Sequence, residues 1–446
     1  MTEKTELFST VPYRRAVISM AVPCVISSLV LVVYNMADTF FVGQTGDPLQ
    51  VAAVSLTNAV FVMYMAIANL TGIGGGTVVS VLLGANEEKR AKAASSFCCW
   101  GAIAAGVVTG ALVLIFMEPL LTLLGAGPDT RAHARNYLFY IAAGAPFIFF
   151  ANVFCHVVRG EGAAAASMVG GIIGTGVNIV LDPVFILTFG MGTAGAAVAT
   201  VLGNICGCIY FVFYFKKSGT VLSVNPRYLR GNVSLMLRVV RVGAPAGVNS
   251  ALMSMATILL NNALVTYGDC AVAAMGIVNK IYLFSAFVHM GITNGVQPLL
   301  GYCRGAGLKD RFMNVMKFSA LLTIICGTVL AAVGIFFAPE IVRLFIDDAE
   351  VVTLGSRMLV LVSLASPILG VLFLTINTMQ ALERALPAAM ISVCRQGFLF
   401  VPMLYILKAA IGLDGVSVTQ TAVDYVTVAI SLVLLMRILR EDSMMR

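Results

Sequence analysis

Apolar stretches of about 20 residues, each long enough to cross a hydrocarbon core, recur along almost the whole chain from Ala16 to Arg437, with only short polar breaks between them. In lipid the backbone has no water to bond to, so such stretches fold as helices that satisfy their own amides. Only 11% of the residues are charged and 59% are hydrophobic, whereas a soluble domain carries about 25% charged residues. No polar interval is long enough for a soluble domain. Gly, Pro and charged breaks mark twelve spans, the first at about residues 16–42 and the last at about 416–437. The fold class is an all-α integral membrane protein with twelve transmembrane helices.

The distribution of basic residues orients these spans. With both termini inside, 21 of the 28 Lys and Arg residues fall on inner connections and five on outer ones, and Lys280 and Arg395 lie within spans. This satisfies the positive-inside rule. It also accounts for the net charge of +7 without nucleic acid, since the excess is spread over inner loops. The polar segment Met1–Tyr13 has no short apolar core followed by a small-residue cleavage site, so the first span reads as retained in the inner membrane of a bacterial type of cell. Of the ten cysteines only Cys270 falls in an outer loop, and the rest read as small packing residues. The histidines His133, His156 and His289 are scattered, and no metal centre is expected.

The chain repeats itself. A shift of 219 to 222 positions superposes Pro23 on Pro245, Gly46 and Asp47 on Gly268 and Asp269, Asn58 on Asn279, and Gly84 and Arg90 on Gly305 and Arg311. Pro119, Pro146, Glu161 and Pro183 then fall on Pro339, Pro367, Glu383 and Pro402. Six helices per copy is an even number, so both copies start on the same side and form a parallel repeat. The expected organisation is an N-terminal six-helix lobe (1–215), a basic cytoplasmic linker (216–241) and a C-terminal lobe (242–446). In transporters built this way the substrate cavity lies between the halves, which expose it to each side in turn.

A carboxylate at the bilayer centre costs about 2.5–3.5 kcal/mol on insertion scales, so each one asks for an explanation. Asp38 and Asp182 both lie near the outer ends of outward-running helices, Asn178 is one helical turn deeper than Asp182 on the same face, and Thr200 reaches a similar depth on the next helix. These are hard oxygen ligands suited to a proton or Na⁺. Wetting of a helix end by the interface explains Asp38 singly, and backbone freed by Pro183 explains Asp182 singly. The repeat favours a functional reading, because Asp38, Asn178 and Asp182 have Leu260, Gly397 and Val401 as counterparts and only Thr200 recurs, as Thr419. A division of labour follows, with the coupling ion held by the first half.

In the second half, Arg395 and Asp424 lie on adjacent helices and read as a buried structural pair, because an unpaired arginine in lipid is expensive. Lys280 either snorkels to the interface or lines a cavity. Tyr34 and Tyr140 are polar-tipped rings able to receive cations. With Phe147, Asn152, Lys280 and Gln297 they make up the candidate cavity wall.

The segments Met36-Ala37-Asp38-Thr39-Phe40-Phe41-Val42-Gly43, Arg159-Gly160-Glu161-Gly162 and Asn178 to Pro183, with Gln297-Pro298 and Gly301, resemble the multidrug and toxic compound extrusion (MATE) family over nearly the whole chain, most of all its MepA-like bacterial branch. The resemblance implies two six-helix lobes and efflux of lipophilic, often cationic small molecules, driven by H⁺ or Na⁺. No enzymatic activity is expected, and one chain, acting as a monomer, suffices for a central cavity. It carries coupling roles to Asp38, Asn178, Asp182 and Thr200. Some relatives use acids in the seventh and tenth helices; here the seventh has Asn261 and Asn262, and the tenth has no internal acid. A lipid-linked oligosaccharide flippase of the same superfamily is the alternative, and it would call for a more cationic cavity. An integral membrane enzyme working on phosphates is disfavoured, because the one adjacent aspartate pair, Asp347 and Asp348, sits in an outer turn.

Overall fold

The computed structural model describes residues 3–216, 219–229 and 232–441, and every regular element among them is helical. The first copy of the repeat comprises α1 (Tyr13–Gly43), α2 (Pro48–Gly84), α3 (Glu88–Ile115), α4 (Pro128–Gly160), α5 (Ala164–Thr188) and α6 (Thr193–Lys216). The second comprises α7 (Val233–Val265), α8 (Asp269–Gly305), α9 (Lys309–Phe336), α10, α11 (Ala385–Ile411) and α12 (Leu413–Glu441). α10 is two segments, Ala349–Ser363 and Ser366–Ala381, bent by 46°. Eleven helices are long and apolar enough to cross a membrane singly, and the bent pair makes the twelfth span. The chain is a multi-pass membrane protein.

Local signals set the helix ends, and most of them recur between the copies. Asp47 caps α2 by accepting from the Leu49 amide at 3.0 Å, and Pro48 occupies the first turn, where a missing N–H costs nothing. Short helices, Met117–Leu123 and Ala338–Arg343, follow α3 and α9 at equivalent positions. Positive φ angles recur at Gly46 and Gly268 and at Asn86 and Gly307. The turn after α4 corrects one landmark of the repeat. Gly162 has φ +94° and Glu383 has φ +55°, so the backbone aligns Glu383 with Gly162, and Glu161 falls on Leu382. The two glutamates are therefore one position out of register. Glu383 pairs with Arg304 at 2.8 Å from this unfavourable backbone conformation.

Internal contacts divide the chain into two units. The first holds Ile26–Gly247 and the N-terminal residues up to Thr10, and the second holds Val11–Val25 and everything from Val248. The chain passes between them three times, once in the turn at Thr10 and Val11 and twice inside helices, two residues beyond Pro23 in α1 and two beyond Pro245 in α7. Glycines explain the exchange. Gly74 of α2 and Gly243 of α7 bring those backbones together in the first unit, where Gly243 faces the Leu70 carbonyl. In the second unit Gly291 and Gly295 of α8 admit the start of α1 at Val25 and Met20.

The connection after α6 is fastened to the first unit. Buried Glu161 accepts from Thr220 Oγ1 at 2.9 Å, from the Val221 amide at 3.2 Å and from the Tyr214 hydroxyl. Ser95 and Ser96 of α3 donate to the Ser223 carbonyl at 2.8 and 2.9 Å, and the Trp100 indole donates to Val224 at 3.0 Å.

Candidate functional site

Close packing of α5 on α6 creates the site in the first unit. Gly174 and Gly203 face each other with so little room that a Cβ on Gly203 would run into the Gly174 carbonyl, and Gly203 also touches the Asn178 side chain. This approach carries Asn178 to Thr200. Asn178 Nδ2 donates to Thr200 Oγ1 at 3.2 Å and to Asp182 Oδ1 at 3.4 Å. Asn178, Asp182 and Thr200 are each at most 3% exposed. Just beyond Asp182, Pro183 leads into a π-helical turn, Val184–Thr188, the widened geometry often found at functional sites.

Counting donors shows what this cluster lacks. The single Thr200 proton goes to the Ala196 carbonyl at 3.0 Å, so in the 3.5 Å contact between Thr200 and Tyr34 the phenol is the donor. With the Asn178 amide protons directed at Thr200 and Asp182, Asp182 Oδ2, Asn178 Oδ1 and Asp38 Oδ1 remain buried without a protein partner. Buried polar atoms are almost always satisfied. Asp38 is within electrostatic reach of Asp182, and both carboxylates act on Tyr34. The arrangement is rich in acceptor oxygens and has no basic partner among the contacts of the described residues, a donor deficit of the kind that a proton or a small cation can fill.

The structure thus brings Tyr34, Asn178, Asp182 and Thr200 together, with Asp38 beside them. It adds Tyr137 of α4, 7% exposed and within electrostatic reach of Asp38, Tyr34 and Asp182. Sequence reasoning passed over Tyr137 in favour of Tyr140, which lies on an exposed face against Phe139. The signal was present. Ile141 and Gly144 stand one and two turns beyond Tyr137, and that stripe packs on α6, where Gly144 meets Val201.

The other candidates are dispersed. Phe147 is exposed, and its carbonyl accepts from Cys208 Sγ at 3.3 Å. Asn152 Nδ2 contacts Met65 Sδ at 3.3 Å, leaving its buried Oδ1 without a partner. Lys280 and Gln297 belong to the second unit. There the Lys280 ammonium is 5.9 Å from the Phe345 ring centre, and Gln297 Nε2 donates to Gln380 Oε1 at 2.8 Å.

In the second unit the buried charges of Arg395 and Asp424 neutralise each other. Arg395 Nε donates to Asp424 Oδ1 at 2.7 Å and Nη2 to Tyr282 Oη at 2.8 Å, while Gln420 also donates to Asp424 at 2.9 Å. Arg395 and Asp424 are almost wholly buried, and the guanidinium lies 5.4 Å from the Phe373 ring centre. Arg395 stands on a second π-helical turn, Cys394–Phe398.

A duplicated twelve-span helical protein with unpaired acids enclosed in one copy belongs to the class of membrane transporters built from parallel repeats. A family model described as MatE matches residues 23–184 and again 245–406, so the chain belongs to the MATE transporter family and carries its domain twice. The multidrug export protein MepA of Staphylococcus aureus (strain NCTC 8325 / PS 47) is 32% identical over 418 residues, covering 93% of this chain and 91% of that protein. MepA of Staphylococcus saprophyticus is 29% identical over 439 residues, covering 98% and 95%. Among solved structures, an outward-facing multidrug resistance MATE family transporter of the MOP superfamily superposes with a TM-score of 0.90 at 25% identity, over 98% of each chain. A MOP superfamily transporter from Pyrococcus furiosus shares the fold, with a TM-score of 0.89 at 24% identity over 98% of each chain.

Proposed function

We propose that this protein is a secondary active multidrug antiporter of the bacterial inner membrane, with both termini cytoplasmic, exporting lipophilic, often cationic small molecules in exchange for H⁺ or Na⁺ by alternating access. The observation that carries this reading is the enclosed cluster of Asp38, Asn178 and Asp182, each with a buried oxygen lacking a protein partner. Similarity to the MepA multidrug export proteins supports the substrate class. A cation entering the cluster supplies the missing donor or charge. It would draw Asp38 of α1 toward Asp182 of α5, and its release would let the carboxylates separate. Substrate and ion thus compete for two states of the same helices. One charge moving down about 100 mV supplies roughly 2.3 kcal/mol, equivalent to a concentration ratio of about 50-fold.

The flippase alternative needs cationic side chains for a pyrophosphate, and Arg395 is committed to Asp424. The test is efflux of a fluorescent lipophilic cation from liposomes holding the purified protein, under separate pH and Na⁺ gradients. Wild type should respond to one gradient and Asp38→Asn to neither. Full gradient-driven efflux by Asp38→Asn would overturn the assignment.

A further inference from the structure

The second unit contains a cavity of about 180 Å³ beside the bend of α10, walled by α8, α9, the short helix Ala338–Arg343 and both segments of α10. Protein interiors are close-packed, and voids larger than a water molecule are few. The bend explains this one. Between Ser363 and Ser366 the two segments part, and hydroxyls of α12 hold the freed carbonyls: Thr421 donates to Leu361 at 3.0 Å and Tyr425 to Leu364 at 3.1 Å. Those two bonds satisfy the freed carbonyls from the side away from the cavity.

The walls define the ligand. Leu359, Val362 and Leu369 with Leu330, Val333 and Ile341 make them largely aliphatic, and no Asp, Glu, Lys, Arg or His lines the space. An ionised ligand would meet no counter-charge, so the occupant is neutral. An apolar cavity of about 150 Å³ accepts benzene, so the size suits one aromatic ring or a short stretch of hydrocarbon chain. The Tyr282 ring is a fixed wall, since its hydroxyl is held by Arg395 at 2.8 Å.

One polar edge breaks the apolar lining. Ser285 of α8 and Ser366 of α10 meet Oγ to Oγ at 2.7 Å across the bend. Two hydroxyls carry two protons and this bond uses one, so the other has no acceptor among the described residues. The Ser363 hydroxyl lines the same edge, against Gly334. At the mouth, Phe284 and Val333 are exposed.

We propose that this cavity is a binding site for a neutral compound with one apolar ring or short chain and one carbonyl or ether oxygen, which accepts from the Ser285–Ser366 pair. A bilayer lipid, through its ester carbonyl and the start of an acyl chain, and a dissolved lipophilic compound both carry that chemistry. The site is independent of the acidic cluster in the first unit and does not depend on the antiport reading.

The experiment is ¹⁹F NMR titration of the full-length protein in detergent with 4-fluoroacetophenone and with fluorobenzene, which lacks the acceptor. No ion gradient is applied, so failure here leaves the antiport reading standing. Wild type should bind 4-fluoroacetophenone saturably, with fluorobenzene about tenfold weaker for want of one hydrogen bond. Val333→Trp, a change at an exposed position of the mouth, should abolish saturation while the protein remains monodisperse. Ser285→Ala with Ser366→Ala should leave the volume and remove the difference between the probes. Displacement of the probe by added phosphatidylglycerol supports the site with a lipid as its occupant, and persistence of the probe supports it with a dissolved compound. Non-saturable partitioning in wild type, or unchanged saturation in Val333→Trp, overturns the site. Equal wild-type affinity for the two probes overturns the role given to the hydroxyls.

Discussion

The two copies of the repeat treat buried charge in opposite ways. In the first unit α5 and α6 enclose Asp182 beside Asn178 and Thr200, with Asp38 in reach, and leave three oxygens without a protein partner. In the second, α11 and α12 enclose Asp424 with Arg395, and Tyr282 and Gln420 complete its surroundings. The same helices carry an open site in one copy and a closed network in the other. Duplication fixes where helices meet; which side chains stand at the meeting point decides whether a buried charge is left unpaired or neutralised. The fourth helix of each copy shows a second divergence. α4 runs unbroken through Pro146, whereas α10 parts before the equivalent Pro367. A glycine of the preceding helix, Gly106 or Gly327, presses on the proline in both. At the break in α10 the hydroxyls of Thr421 and Tyr425 take up the freed carbonyls, and Ser366 meets Ser285.

Neutralising each copy's aspartate should break this symmetry most visibly. Asp182→Asn should abolish gradient-driven efflux in liposomes, while Arg395→Met combined with Asp424→Leu should retain it. Loss of transport in that folded double variant would end the division of labour between the copies. Stability should respond in the reverse order. Asp424→Asn strands a buried guanidinium and should cost about 3–5 kcal/mol in a denaturation assay, with the double neutral variant recovering most of it. Asp182→Asn removes an incompletely paired buried carboxylate and should leave stability unchanged or raise it. Gly106→Ala forces a methyl into the Pro146 backbone and should destabilise by about 1–3 kcal/mol. The smallest effect, about 1 kcal/mol, is expected for Thr421→Val, which removes one hydroxyl at the bend of α10; the same assay would show whether that bond helps to hold the break.

Much of the fold was legible in the sequence because lipid permits so few alternatives. Long apolar runs must be helices, and a six-helix repeat must be parallel. The acidic candidates were legible for a related reason, since a carboxylate in an apolar span is costly enough to stand out. Tyr137 was not, because a tyrosine raises no such alarm and its burial depends on how α4 turns toward α6. Nor was the break in α10, since Pro146 and Pro367 look alike in sequence and the hydroxyls that meet the broken turn come from other helices. The register of Glu161 against Glu383 also escaped, because a one-residue slip in a turn leaves composition unchanged and appears only in the sign of φ.

The sequence by itself determined the class of fold, its duplication, and which residues carry charge where charge is expensive, because hydropathy and the cost of burial act on each segment separately. The Arg395–Asp424 pair was readable from the sequence, but the tertiary structure alone decided that Asp38, Asn178 and Asp182 keep oxygens without a protein partner. It also decided where α1 and α7 pass from one unit to the other and where a cavity opens beside a bend. These depend on distances between helices set by glycine contacts and hydroxyl bonds far apart in the chain, and no local pattern encodes them.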